Sequence, residues 1–226
     1  MVIFIVSCDS NLINKILIAY EDLGEKKFIK KIVKDINIDK KLYLFYFKRK
    51  FIPICTLPKF RIILVSKQGF ISFCYNFFSF LHSKNLFINV SYKNIMSIAK
   101  FVVYHEVGHI LDKSINDNKV EYNQTLKTFI NKLIEYDIDI NVENLHKKNL
   151  PSDVEECVLK LKKNLINRES TAWKIAHDLI EFEDKNEELI FNNMREYALA
   201  TYNFGNIQNI INENNIDVFI KYKKAI

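Results

Sequence analysis

The order of apolar and polar residues predicts strands and helices in the first part of the chain and helices in the rest. Val2 to Val6 is β-branched and aromatic, which indicates a buried strand. Two helices are predicted from apolar residues at helical spacing, one from Leu12 to Tyr20, capped by Asp9 or Ser10, and one from Phe28 to Ile36. A sheet is predicted from short β-rich runs at 42–47, 51–55, 60–65, 70–73 and 86–90.

The pattern changes to long helices after Ser91, which is a good N-cap. Apolar residues then recur at helical spacing to about Ser114, at 126–134, and from Ser152 onward, where Glu155 completes capping-box spacing. We therefore expect one α+β domain over 1–226. Its parts are an α/β part with the sheet at 1–90, a helix at 91–115, a helical insertion at 116–167 and a helical part at 168–226.

The helix predicted at 91–115 contains His105-Glu106-Val107-Gly108-His109. Residues four apart lie on one helix face, so His105 and His109 can offer two imidazole nitrogens to one metal ion. Glu106 stands beside them, where its carboxylate can accept a proton from water. Two ligands and a general base on one helical turn are typical of zinc metallopeptidases.

The third ligand must come from elsewhere in the chain. A metzincin would place a Gly and a third His within six residues of His109, and 110–115 contains neither. Asp112 and Asp117 are near His109 in the sequence. Asp112, however, lies on the same helix as His109, and its short side chain makes it a poor third ligand. A later helix offers other carboxylates, namely Glu121, Glu143, Glu155, Glu156, Glu169, Glu181 and Glu183.

Glu169 differs from the other glutamates because small residues follow it on the same helix face. Ala172 and Ala176 stand three and seven positions later. A ligand helix must pack closely on the first helix, since zinc–ligand distances are only about 2 Å. This favours Glu169 as the third ligand.

The stretches HEVGHILD and ESTAWKIAHDLI together resemble the ImmA/IrrE family of zinc metallopeptidases and, more broadly, gluzincins. The resemblance implies a zincin-like fold and one Zn²⁺ per chain, bound by His105, His109 and Glu169, with Glu106 as the catalytic base. The chain departs from the pattern in its spacing, roughly 60 residues between motifs, and in Trp173. Gluzincins often have at that position a small polar residue that orients a ligand histidine. Asp112 or Asp178 would have to replace it.

These features predict a zinc metalloendopeptidase acting on a protein or peptide substrate, which the resemblance suggests is an intracellular regulatory protein. Tyr104, Arg195 and Tyr202 are candidate oxyanion donors, and His177 and Tyr197 rank before them. The alternative is a catalytically silent zincin-fold protein that binds or regulates a partner. The intact Glu106 argues against it, because binding alone requires no base.

Composition narrows the class of protein. The chain has 226 residues, 49% hydrophobic and 27% charged, which is typical of a globular protein. Its net charge of +6 comes with scattered lysines, so no specific nucleic acid is expected. Cys8, Cys55, Cys74 and Cys157 form no C-x-x-C pair, which favours reduced thiols in the cytoplasm. Met1 to Ser7 is too short for a signal peptide and 70–81 too short for a membrane span, so no membrane association is expected.

Overall fold

A computed structural model describes residues 10–22, 25–36, 38–39, 41–47, 54–140 and 149–203, and single positions in 207–216. The predicted strand at Val2 to Val6 lies outside these residues. The described residues form a three-stranded sheet and helices, so the α+β prediction is confirmed at this level. The elements are α1 (Ser10–Asp22), α2 (Glu25–Asp35), β1 (Tyr43–Tyr46), β2 (Ile54–Leu57), β3 (Ile62–Val65), α3 (Lys67–Ser83), α4 (Tyr92–Leu111), α5 (Ile115–Glu135), α6 (Ser152–Leu179) and α7 (Lys185–Asn203).

The chain divides into two compact units. The sheet unit comprises Phe4–Asp112 and Ser170–Ala198, and the helical unit comprises Met1–Ile3, Lys113–Glu169 and Leu199–Ile226. Helix α6 is continuous through the boundary after Glu169. The domain organisation expected from the sequence, a single domain with a helical insertion at 116–167, stays a prediction.

The sheet is mixed, with strand order β1-β3-β2. β1 runs parallel to β3, and β2 runs antiparallel to it. Ile63 and Val65 of the central strand are buried, as expected for β-branched residues with a neighbour on each side. Among the described strands, β2 has a strand on one side only, and it packs against α4.

Two predicted strands are wrong. The segment 70–73 belongs to α3, which begins after the N-cap Ser66, whose side chain accepts a hydrogen bond from the Gly69 amide. Phe70, Cys74, Phe77 and Leu81 recur at helical spacing and are buried, so helical burial prevails over the β propensity of the aromatic residues. The segment 86–90 is irregular, and no described strand pairs with it.

Helix α4 is buried along nearly its whole length. It packs against α1, α2 and β2. Polar contacts attach it to the segment 181–187: Lys93 pairs with Asp184 at 2.6 Å, Ser97 donates to Glu187 at 2.8 Å, and Lys100 donates to the Glu181 carbonyl at 3.2 Å. A helix apolar on all sides is a core helix, and these contacts fix it at the centre of the sheet unit.

The helical unit has its own core, in which Phe129 and Leu133 of α5 belong to one buried cluster with Val154 and Leu161 of α6. An ion pair between Lys132 and Asp153 joins the two helices. No described helix has both the length and the apolar character needed to cross a membrane.

Candidate metal centre

The His-Glu-x-x-His turn lies in the last third of α4, and hydrogen bonds define both ends of this helix. At the start, the Ser91 side chain accepts a hydrogen bond from the Asn94 amide at 3.2 Å. At the end, the Asp112 amide donates to the Gly108 carbonyl at 2.9 Å, and Asp112 adopts an extended backbone. The helix thus ends at Leu111, before the predicted end near Ser114, and the turn with the two histidines keeps regular helical geometry.

The two histidines lie side by side and are buried. Their ring centroids are 4.7 Å apart with an interplanar angle of 72°. His105, Glu106 and His109 are each 8% exposed. Ionisable side chains are rarely buried unless a partner or a ligand stabilises them. The burial of three such side chains on one helical turn is therefore unusual.

Gly108 brings α6 close to this turn. A Cβ atom added at Gly108 would lie 2.2 Å from the carbonyl oxygen of Ala172 and 3.0 Å from its Cα atom. Ala172 and Ala176 are both fully buried. The glycine on one helix and the alanines on the other therefore permit the close packing that the sequence pattern predicted.

The segment of α6 that packs at Gly108 also carries Glu169, one turn before Ala172. Nitrogen atoms of His105 and His109 and a carboxylate oxygen of Glu169 all lie within 4.8 Å of one another. Within the described residues this is the group of histidine, cysteine and acidic side chains that could hold a metal ion. The structure thus brings the three predicted ligands together and leaves Asp112 and the other described carboxylates out of the group.

The geometry of the group suits zinc. Ligand atoms about 2.1 Å from a tetrahedral ion are about 3.4 Å apart. The three donor atoms lie within 4.8 Å of one another, so their separations are of the size that such a site requires. Two imidazoles and one carboxylate are also the ligands of a known class of catalytic zinc sites, which leave a fourth position open. The residues present therefore fit a zinc ion.

Trp173 lies directly against one of the predicted ligands. Its ring is stacked on the His105 ring, with centroids 4.3 Å apart and an interplanar angle of 24°. The opposite neighbour is Phe191 of α7, which meets Trp173 edge-on at 5.3 Å. Sequence reasoning identified Trp173 as the loss of a polar partner and missed this contact, because stacking depends on how α4 and α6 cross.

The two first-ranked candidate oxyanion donors, His177 and Tyr197, contact aromatic rings. His177 is exposed and contacts the rings of Phe182 and Phe191. Along α6 it is eight residues from Glu169, which corresponds to about 12 Å of helix rise. Tyr197 packs against rings of α3, with Phe80 at 5.1 Å, and burial raises the pKa of its hydroxyl. The catalytic roles of His177 and Tyr197 stay predictions.

The other candidates have varied surroundings. Burial raises the pKa of the Tyr104 hydroxyl, with a contribution from the charges of Asp35 and Glu181. Arg195 is exposed, and the side chain of Tyr202 lies outside the described residues. Of the two aspartates considered for orienting a ligand histidine, Asp112 is buried, whereas Asp178 is exposed and 3.7 Å from His177.

One buried carboxylate was not anticipated from the sequence. Glu187 is 2% exposed, and its side chain accepts hydrogen bonds from the Ser97 hydroxyl at 2.8 Å and the Glu183 amide at 2.9 Å. It stands in the first turn of α7, where acidic residues are common, so the local sequence carries no sign of its burial.

Comparisons with known proteins add nothing to these observations. A scan against protein-family models, a search of curated proteins and a search of solved structures find no match to this chain.

Proposed function

We propose that this chain is a zinc-dependent metallopeptidase of zincin-like fold, acting in the cytoplasm on peptide bonds of an intracellular protein. The observation that carries the proposal is the group of His105, His109 and Glu169, with Glu106 buried on the same turn of α4. The resemblance of the two motifs to ImmA/IrrE peptidases suggests a regulatory protein as the substrate.

Each residue of the site has a separate role in the proposed mechanism. His105, His109 and Glu169 would hold the ion through two imidazole nitrogens and one carboxylate oxygen. The chemistry that a zinc ion would supply there is that of a Lewis acid, which polarises water and a substrate carbonyl. Glu106 accepts the proton of the attacking water and delivers a proton to the leaving amine nitrogen. Its burial favours this role, because a site that excludes bulk water leaves few other molecules to compete for the carboxylate.

The strand β2 is the proposed support for the substrate backbone. It packs against α4, which carries the histidines, and among the described strands it has a partner on one side only. An extended peptide can add to such an edge through main-chain hydrogen bonds, with alternate side chains entering pockets. An extended peptide segment, rather than a folded surface, is therefore the proposed substrate.

Metal binding is tested first. Purified wild-type protein is expected to hold about one zinc per chain and to gain thermal stability with zinc, by about 2.7 kcal/mol at a hundredfold excess over Kd. Glu169→Ala should lose this metal, whereas Glu155→Ala, an exposed glutamate on the same helix, should keep it. Full zinc retention by Glu169→Ala would remove Glu169 from the site.

Catalysis is tested separately with Glu106→Gln. This substitution preserves size and removes the base, so the variant should keep zinc while cleavage of a peptide library falls by a factor of about 10² to 10⁴. Wild-type protein that binds zinc, cuts no peptide of the library and captures a partner would favour the silent binding protein instead.

A further inference from the structure

We propose that Trp173 is a positioning residue for the metal centre: its indole face holds the His105 ring in the orientation that binds the ion. This inference rests on the proposed zinc site. In many metal sites, a hydrogen bond to the second ring nitrogen orients the ligand histidine. Here the face of an aromatic ring would orient it instead.

The contact has the geometry of a stacking pair. The two ring centroids are 4.3 Å apart and the planes differ by 24°, which is an offset stack rather than an incidental edge contact. Trp173 is 3% exposed, so the indole face is covered by protein rather than solvated. The stack therefore restrains rotation of the imidazole about its last side-chain torsion, which is otherwise broad for histidine.

The indole ring of Trp173 packs in turn against a second aromatic ring. Phe191 meets it edge-on at 5.3 Å with an interplanar angle of 75°. Phe191 in turn meets Phe101 of α4 at 5.3 Å and 88°, one helical turn before His105. These three aromatic rings form a continuous row from α6 through α7 to α4, so Trp173 has little freedom to turn away from the histidine.

The stack also favours the metal-bound state over the metal-free state. An imidazole that shares its lone pair with a divalent cation is electron-poor, and the face of an indole ring carries negative charge density. Attraction between the rings is consequently stronger when the ion is present. Trp173 should thus contribute to metal affinity as well as to packing of the core.

The positions of Trp173 and Glu169 along α6 allow both residues to face the two histidines. Trp173 stands four residues after Glu169 on the same helix face. One helical stripe thereby provides a ligand for the ion and a surface for the ring of another ligand. A small shift of α6 would change both contacts together.

The test compares Trp173→Phe with Trp173→Leu. Both reduce volume, but only phenylalanine retains a ring face for His105. The exposed neighbour on α6, Lys174, provides a matched control as Lys174→Ala. Zn²⁺ affinity is measured by competition with a chelator, and unfolding of each metal-free variant in urea reports on packing alone.

We expect Trp173→Phe and Lys174→Ala to stay within about threefold of the wild-type Zn²⁺ affinity and Trp173→Leu to lose about tenfold, as outer partners of ligand histidines do. With Co²⁺ as the probe, the visible absorption bands should shift in Trp173→Leu and remain in Trp173→Phe. Should Trp173→Leu fail to fold, Trp173→Met replaces it, because the flexible methionine fills irregular space without a ring.

Equal Zn²⁺ affinities for the phenylalanine and leucine variants would overturn the inference, whereas absence of Zn²⁺ binding by wild type would overturn the proposed function instead. The chain has 1 tryptophan, so indole fluorescence reports on this contact alone. Emission should change with added Zn²⁺ and saturate at about one ion per chain. Unchanged emission in a protein that binds Zn²⁺ by competition would also count against the coupling.

Discussion

Substitution of Gly108 by alanine tests the close approach of α4 and α6 directly. The new Cβ atom would lie 2.2 Å from the oxygen, 2.8 Å from the carbon and 3.0 Å from the Cα atom of Ala172. All three are backbone atoms, so no side-chain rotation relieves the clash. A carbon–oxygen contact is normally about 3.3 Å, and α6 would have to move by about 1 Å.

The expected energies follow from that displacement. Overpacking of a core costs about 1–3 kcal/mol, and replacing glycine by alanine inside a helix returns up to about 1 kcal/mol. We expect the metal-free variant to lose about 1–2 kcal/mol of unfolding free energy. Zinc–ligand distances vary by only about 0.2 Å between sites, so moving the backbone of Glu169 by about 1 Å should weaken Zn²⁺ binding about tenfold, or about 1.4 kcal/mol.

Urea denaturation of the metal-free protein and chelator competition for Zn²⁺ measure the two effects. Adding Ala172→Gly to the variant should not restore Zn²⁺ affinity, because the clash is with the backbone of residue 172 rather than its methyl group. Lys174→Ala serves as the unaffected control on α6. Wild-type stability together with wild-type Zn²⁺ affinity in Gly108→Ala would refute the close approach.

Three further predictions concern the surroundings of the site. Glu187→Ala should lower the unfolding free energy by about 2–3 kcal/mol in urea denaturation, because the buried Ser97 hydroxyl and the partly buried Glu183 amide lose their acceptor; an unchanged midpoint would contradict this. Burial raises the pKa of the Cys74 thiol far above its usual range, so a thiol reagent should label the half-buried Cys55 first and Cys74 only after unfolding, as peptide mapping would show. The hydrogen bond from Lys132 lowers the pKa of Asp153, so its stabilising effect is complete above the unfolded pKa of about 3.9 and is lost as the pH falls through the lower folded value. Asp153→Asn should therefore flatten the acid limb of a pH–stability curve, and an identical curve would count against the ion pair.

Local sequence patterns were sufficient where one element determines its own structure. Ser91 and the apolar spacing after it predicted α4, and the spacing of Glu169, Ala172 and Ala176 predicted which face of α6 packs closely. Both inferences rest on helical periodicity, which is a property of single helices. The α+β class followed from helical periodicity together with the short β-rich runs before Ser91.

Local patterns failed where the outcome depends on a partner elsewhere in the chain. Leu86, Ile88 and Val90 alternate as a strand would, but a strand requires a neighbour, and no described strand pairs with them. The same limit applies to Trp173, whose stacking on His105 depends on how two helices cross. Glu187 resembles an ordinary first-turn glutamate until α4 covers it.

The contact between Gly108 and Ala172 has a consequence for the chain that connects them. The entropy lost on closing a chain segment grows only with the logarithm of its length, so doubling a segment from about 30 to about 60 residues costs about 0.6 kcal/mol. The wide spacing between the two motifs therefore adds little to the cost of bringing Glu169 to the histidines. The length of the connecting segment therefore has little effect on the cost of forming the site, whereas a single methyl group at Gly108 would clash with the backbone of Ala172. Sites of this kind are better recognised by the small residues at the helix crossing than by the distance between their motifs.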